Sequence, residues 1–501
     1  MAQVPPGSAR DRLTNQVLGA LRASALVRVG GQIANWSITI FVMRLLVPED
    51  YGLVAMLTVI FMFLAMIADM GFDSIIVQSS TLTTAEIRKV FGASLVVGLM
   101  ITLALVLAAP AIAAFYGEPR LVDMTRVAAL GFVAIAPCPI YTGLLHRDMR
   151  FGAATTIEIV AGVVGNLVTL ALALAGFGAW SLIVGTLIAG PVRALLLFTN
   201  AGTFYWPSFR FTGMRPLLRF GGNVLLTRIV WYWTSQADIL VAGKFLGKEA
   251  LGFYAVAVHL ASLPMQRASG MINSVAFAAF ARIQHDAPAV ARNTRRAVRL
   301  MAFVTFPVLW GIAAVAPELV ELAIGPKWHD AVLPLTLVAL TIPLRMIGSV
   351  ITTTIMSLGR VDVALVTTLL GAAVAPPLFY FGSRYGIVGV SVAWLVVAPV
   401  MFLLNMFRAL PILGLSLAGV AAEMGWPFAL SATLFGCVEA TRRASAGLPV
   451  ALVFGLCVVV GAAVYCGGMW MLNRTASIEA LTLLFPKRFA RLRGNASIAV
   501  S

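Results

Sequence analysis

This chain is a succession of apolar stretches spaced too closely to fold around a water-facing surface. Bounded by charged residues or by Gly and Pro, they fall at 23–46, 51–76, 90–115, 122–145, 154–175, 179–200, 220–246, 250–281, 298–323, 331–358, 363–382, 386–410, 424–440 and 449–472. A helix needs about 20 apolar residues to cross the hydrocarbon layer, and most of these stretches approach or exceed that length. Membrane β-strands alternate lipid-facing and lumen-facing residues, so unbroken apolar runs argue for helices instead. Only 11% of the residues are charged and the mean hydropathy is +0.95, whereas soluble domains carry roughly 25% charged residues. The expected fold class is all-α, a polytopic membrane protein with about 14 transmembrane helices. The polar segment 1–22 has no short apolar core, so no cleaved signal peptide is expected.

The stretches repeat. Arg28, Leu46, Glu49, Gly52 and Ala55 recur 200 positions later as Arg228, Leu246, Glu249, Gly252 and Ala255. Gly178, Val184, Leu187, Pro191 and Val192 recur at an offset of 208 as Gly386, Val392, Leu395, Pro399 and Val400. Two blocks at nearly equal offsets indicate a duplicated unit. Six spans per copy is an even number, so both copies enter the membrane in the same direction, related by a pseudo-twofold along the membrane normal. The expected organisation is a cytoplasmic segment 1–22, a six-helix lobe 23–200, a cytoplasmic linker 201–219, a second six-helix lobe 220–410, two additional helices within 411–472 and a basic tail 473–501. The copies are unequal: Arg193 aligns with Met401, and Asp238 aligns with Ile38.

Charge sets the orientation. Of the 36 Lys and Arg residues, 22 fall in one set of loops together with both termini. The opposite loops hold eight: Arg120, Arg126, Lys244, Lys248, Lys327, Arg384, Arg442 and Arg443. Short cytoplasmic loops carry the excess of cations, so both termini are expected in the cytoplasm. The net charge of +16 is thereby accounted for, and no nucleic-acid partner is expected. No outer loop exceeds about 15 residues, which argues against an extracellular catalytic domain. The tail, with Lys487, Arg488, Arg491 and Arg493 after an apolar run, suits membrane lipids at the anionic cytoplasmic surface. Cys138, Cys437, Cys457 and Cys466 lie in apolar segments without metal spacing, and no nucleotide-binding glycine motif is present. No metal or other cofactor is expected, and the chain does not read as an enzyme.

The cations left inside the apolar stretches carry the functional signal. Arg28, Arg193, Arg228, Arg267 and Arg345 sit within expected helices, with Arg44 near an outer end. A central arginine costs about 2.5–3.5 kcal/mol to insert, so it normally faces a cavity or a partner. Its planar fork matches phosphate with two parallel hydrogen bonds. Helical spacing puts Gln32, Asn35 and Thr39 on the face of Arg28, Trp231, Ser235 and Asp238 on that of Arg228, and Ser349 and Thr352 on that of Arg345. Trp231 offers a ring for stacking on a sugar. The candidate substrate-binding residues are therefore Arg28, Gln32, Asn35, Arg193, Arg228, Trp231, Arg267 and Arg345. The acids Asp69, Glu158 and Asp238 either neutralise the arginines or bind a coupling proton or sodium ion.

Several motifs resemble a known family. Arg44-Leu-Leu-Val-Pro-Glu-Asp-Tyr-Gly52, Ala68-Asp-Met-Gly-Phe72, Ala113-Ala-Phe-Tyr-Gly-Glu-Pro119, Arg147-Asp-Met-Arg-Phe151 and Gly176-Phe-Gly-Ala-Trp-Ser181 resemble polysaccharide flippases. The match is best to the WzxC-like branch of the multidrug/oligosaccharidyl-lipid/polysaccharide superfamily. The resemblance implies two six-helix lobes in a V around a central cavity, plus two further helices. It implies a glycan on undecaprenyl diphosphate, moved across the bacterial inner membrane by alternating access, often with ion coupling. The polysaccharide polymerase and export machinery would then be partners. Two other readings stand beside it: a multidrug exporter, which should favour acidic and aromatic groups, and a membrane-embedded glycan polymerase or ligase, which should need a sizeable outer loop.

Overall fold

The computed structural model describes residues 30–69, 72, 76, 83–212, 215–474 and 476–479; for 215–228, 230–231, 234, 265–279 and 281 the description covers the backbone only. The chain divides into two compact units, Met1–Ile229 and Val230–Ser501. In the first, α1 (30–45), α2 (Pro48–Asp69), α3 (Thr84–Tyr116), α4 (Leu121–Ile135), α5 (Cys138–Arg147), α6 (Phe151–Leu174) and α7 (Ala179–Ala201) follow one another. The division falls inside α8 (Arg215–Arg282). The second unit continues with α9 (Ala287–Ala314), α10 (Ala316–Ala323), a short 3-10 turn at Pro326–Ala331, α11 (Val332–Ser357), α12 (Val361–Ser383), α13 (Gly386–Leu413), α14 (Leu417–Ala444) and α15 (Val450–Leu472).

Ten helical segments among the described residues are long and apolar enough to cross a membrane. The first, seventh, eighth and thirteenth expected spans correspond to α1, to the two arms of α8 and to α14. The all-helical fold class is borne out. Local boundaries differ where proline and glycine act. The stretch 122–145 is two helices, because Pro137 and Pro139 cannot donate backbone hydrogen bonds. Ser94 Oγ donates to the buried Ala136 carbonyl there at 2.7 Å. The stretch 298–323 is likewise broken at Val315, just before Pro317. In α8 the two arms meet at Gly247, whose φ of 82° and ψ of −180° only glycine adopts readily.

The duplication is visible in the backbone. Gly178 and Gly386, 208 positions apart, both take left-handed φ (54° and 72°) at the start of α7 and α13. Before α6 and α12, Met149 and Gly359, 210 positions apart, also take left-handed φ (57° and 78°), and the next residues match closely: Arg150 has φ −87° and ψ 44°, Arg360 φ −89° and ψ 57°. Each repeat therefore builds the same hairpin of two spans, α6–α7 in one unit and α12–α13 in the other. Both hairpins pack through glycine. A Cβ on Gly185 would collide with Thr169 of α6, and one on Gly389 would collide with the Gly382 carbonyl of α12.

The additional helices are fastened to the second unit near both of their ends. Arg299 of α9 grips Glu423 of α14 with Nε–Oε2 at 2.6 Å and Nη2–Oε1 at 3.0 Å, and also reaches Glu479 at 3.4 Å. Toward the other end of α14, Arg442 holds Glu318 of α10 at 2.5 and 3.1 Å and meets the Ala314 carbonyl. Between these clasps Leu430, Leu434, Val438, Val453, Cys457 and Met469 form one buried apolar cluster. Tyr465 of α15 closes it by donating to the Phe303 carbonyl at 2.8 Å.

Candidate functional site

Among the described residues, each unit has a charged centre at membrane depth. In the second unit, the turn at Gly247 folds the arms of α8 so that Tyr254 faces Asp238, and its hydroxyl donates to Asp238 Oδ2 at 2.6 Å. Trp394 of α13 enters from another helix. Its indole N–H lies 3.1 Å from the same carboxylate oxygen and 2.8 Å from the tyrosine hydroxyl. All three side chains are buried, and Asp238 Oδ1 has no hydrogen-bond partner among the described residues. A face of the same indole carries Arg345, midway along α11, with its guanidinium carbon 4.4 Å from the ring centroid. Phe379 braces the same indole at 5.0 Å. A guanidinium over an indole gains about 0.5–2 kcal/mol, and Arg345 and the Asp238 carboxylate also attract one another. Arg345 is exposed, and no ion pair joins it to a described carboxylate.

In the first unit, Arg193 of α7 meets Glu158 of α6, Nη2 to Oε1, at 3.1 Å. Arg193 also lines a cavity of about 230 Å³ together with Asp69, Ser94, Phe132, Cys138 and Thr142. Its Nε and the Thr142 hydroxyl are buried there without hydrogen-bond partners among the described residues. Two such orphaned polar atoms on one cavity mark it as a wet, hydrogen-bonding space rather than an apolar void. A second polar contact joins α1 to α6: Asn166 Nδ2 donates to Asn35 Oδ1 at 2.9 Å, with the Asn35 side chain against Gly162. Gln32 lies one turn before Asn35 on α1 and is half-buried.

The sequence-named residues thus divide. Arg193 and Asp69 share a cavity, Arg193 pairs with Glu158, and Arg345 and Asp238 flank one indole. Arg28 lies outside the described residues, and Arg228, Trp231 and Arg267 are described in backbone only. The polar stripe beyond Arg345 turns inward on itself. Ser349 and Thr352 donate to the carbonyls of Met346 and Gly348 in their own helix, and Asn405 of α13 bonds to Thr352 at 3.0 Å. Tyr254 and Trp394 did not stand out in the sequence, because a lone aromatic in an apolar stretch reads as packing. Their one signal is the repeat. The first copy has Val54 and Thr186 at those positions, and Ile38 where Asp238 stands, so all three polar members are particular to the second copy.

The chain is similar to proteins of known family and fold. A family model for polysaccharide biosynthesis proteins matches residues 41–333, more than half of the chain. The lipopolysaccharide biosynthesis protein WzxC of Escherichia coli (strain K12) is 26% identical over 392 residues, covering 77% of this chain and 80% of its own. The teichuronic acid biosynthesis protein TuaB of Bacillus subtilis (strain 168) is 25% identical over 384 residues, covering 74% and 78%. Among solved structures, the lipid II flippase MurJ in an inward closed conformation superposes with a TM-score of 0.72 at 13% identity, over 90% of this chain and 99% of that one. An inward-facing multidrug resistance transporter of the MATE family gives 0.59 at 19% identity, over 78% and 99%. At those identities the structural likeness establishes the two-lobe helical fold. The chain belongs to the polysaccharide biosynthesis protein family.

Proposed function

We propose that this protein flips oligosaccharide repeat units, carried on undecaprenyl diphosphate, from the cytoplasmic to the periplasmic leaflet of a bacterial inner membrane, for export of an exopolysaccharide, capsule or O-antigen. The observation that carries the reading is Arg345, an exposed guanidinium at mid-span stacked on an indole, with no direct ion pair to a described carboxylate. A fixed cation in that position attracts an anionic headgroup, and its fork matches a diphosphate. A cationic drug would meet repulsion there. Arg193, with Nε and the Thr142 hydroxyl unpartnered on the same cavity, supplies hydrogen-bonding capacity for a polar headgroup or its sugars. The protein works as a transporter by alternating access and makes or breaks no covalent bond. Asp238, with Oδ1 bare, is the carboxylate proposed to take up a coupling cation, a proton or sodium. Downstream, a polymerase and export machinery would take the flipped unit.

Proteoliposomes holding the purified protein and an undecaprenyl-diphosphate glycan test this. Movement of the glycan between leaflets is followed by its access to an added glycosidase. Wild-type protein should expose the glycan and Arg345→Ala should not, with Arg345→Lys intermediate. Equal rates with and without protein would overturn the proposal. Drug efflux without glycan movement would assign the protein to the exporter class instead.

A further inference from the structure

The segment after α7 displays aromatic rings that the transport reading does not use. Residues 202–211 form neither helix nor strand, and exposure alternates only from Phe204 to Pro207. Tyr205 points inward and packs on the apolar clusters beneath α3 and α5. Phe204, Trp206, Phe209 and Phe211 point outward, 48%, 68%, 60% and 41% exposed. The display is rigidly held. Arg88 Nε donates to the Trp206 carbonyl at 2.9 Å, the Ser208 N–H donates back to the Arg88 carbonyl at 2.8 Å, and Lys89 Nζ reaches the Thr212 carbonyl at 2.9 Å. Gly92 lets the Ser208 backbone pass so closely that any Cβ would collide with it.

We propose that residues 203–212 are an interfacial anchor seated in the anionic headgroup layer of the membrane. Depth supports it: the segment is tied to residues 88–92, where α3 enters its apolar stretch, so the rings stand at the membrane boundary. Aromatic side chains concentrate at that level. Charge supports it as well. Arg88, Lys89 and Arg210 surround the rings, and no Asp, Glu, Asn or Gln occurs between Asn200 and Asn223. The nearby acid Glu86 is taken up capping α3 with Thr83, at 2.8 Å. That composition argues against a sugar platform, which needs carboxylates or amides beside the ring. Phe204 and Trp206 also meet edge to face, at 87°, and present no shared flat surface for a pyranose.

The test uses the full-length protein with its four native cysteines replaced by alanine. Nitroxides on Trp206→Cys and, separately, Phe209→Cys are read in nanodiscs of phosphatidylcholine with about 30% phosphatidylglycerol. Membrane-soluble oxygen should collide with both labels, and a water-soluble nickel chelate should be excluded. Chelate access should rise when phosphatidylglycerol is omitted, and also with Arg210→Gln in the anionic discs, since among the described residues the loop backbone is held by Arg88 and Lys89 and not by Arg210. Free chelate access in the anionic discs would overturn the anchor and leave the rings for a soluble partner. Equal exclusion with and without phosphatidylglycerol would overturn its preference for anionic lipid.

Discussion

Trp394 donates its indole N–H to Asp238 at 3.1 Å across 156 positions of sequence, onto the oxygen that already accepts from Tyr254 at 2.6 Å. Hydrogen bonds to a charged group contribute about 1.5–3 kcal/mol each. Trp394→Phe keeps a ring against Phe379 and beneath Arg345 but removes the donor, so a loss of about 1–2 kcal/mol is expected. With Tyr254→Phe added, Asp238 is left buried without a donor on either oxygen. The double variant should therefore fall below the sum of the singles by about 1 kcal/mol or more. Thermal unfolding of the purified variants measures this; strict additivity would mean that the two donors act independently. Asp238→Asn keeps the shape of the centre, and it should stop transport while preserving the fold.

Arg193 and Glu158 offer a second test, because the cation and the acid come from the two helices of one hairpin. Glu158→Arg places two cations together at membrane depth and should lower insertion and yield sharply. Exchanging the pair, Arg193→Glu with Glu158→Arg, should recover yield. Transport should stay lost, because the cavity that Asp69 and Thr142 share would then hold a carboxylate in place of the guanidinium. An exchanged protein that transports normally would reduce the pair to a structural role.

The contrast between these two centres explains what the sequence could disclose. The order of the spans was legible, because apolar length is a local property and the helices follow it through α15. The duplication was legible too, and Gly178 and Gly386 now give it backbone form. Charged members of both centres stood out because a charge in an apolar run is costly. Their partners did not. Nothing local separates Trp394 from a packing residue; only the meeting of α8, α11 and α13 does so. Ser349 and Thr352 show a further limit of reading from spacing. Their spacing from Arg345 resembled a cavity face, but a hydroxyl in a helix can satisfy itself on the preceding turn.

The two clasps on α14 lead to a stability prediction. Arg299 and Glu423 are 27% and 19% exposed, and Arg442 and Glu318 are 26% and 7% exposed, so both pairs are largely shielded. Breaking such a pair by removing one partner costs about 2–4 kcal/mol, because the other charge stays buried. Arg442→Gln should cost more than Arg299→Gln, since Glu318 is the more deeply buried acid. Arg442→Lys should recover only part of the loss, as lysine lacks the two-pronged geometry. Thermal unfolding in detergent ranks the three; equal midpoints would show that the apolar cluster alone secures α14 and α15.

The hairpin glycines make the sharpest sequence-to-packing prediction. Alanine is the better helix former by about 1 kcal/mol, so propensity alone favours replacing any mid-helix glycine. At Gly455 of α15 a Cβ meets nothing within 4 Å, and Gly455→Ala should be neutral or raise stability. At Gly185 the same methyl would collide with Thr169 and stand 2.8 Å from the Gly165 carbonyl on the facing helix. Backbone and a buried hydroxyl cannot step aside there, so α6 and α7 must separate, at a cost of about 1–3 kcal/mol or more. Gly389→Ala should behave likewise, pressing on the Gly382 carbonyl between α12 and α13. Unfolding midpoints of the three variants decide it. Stabilisation at Gly185 or Gly389 would mean that the hairpin concerned does not need its close approach.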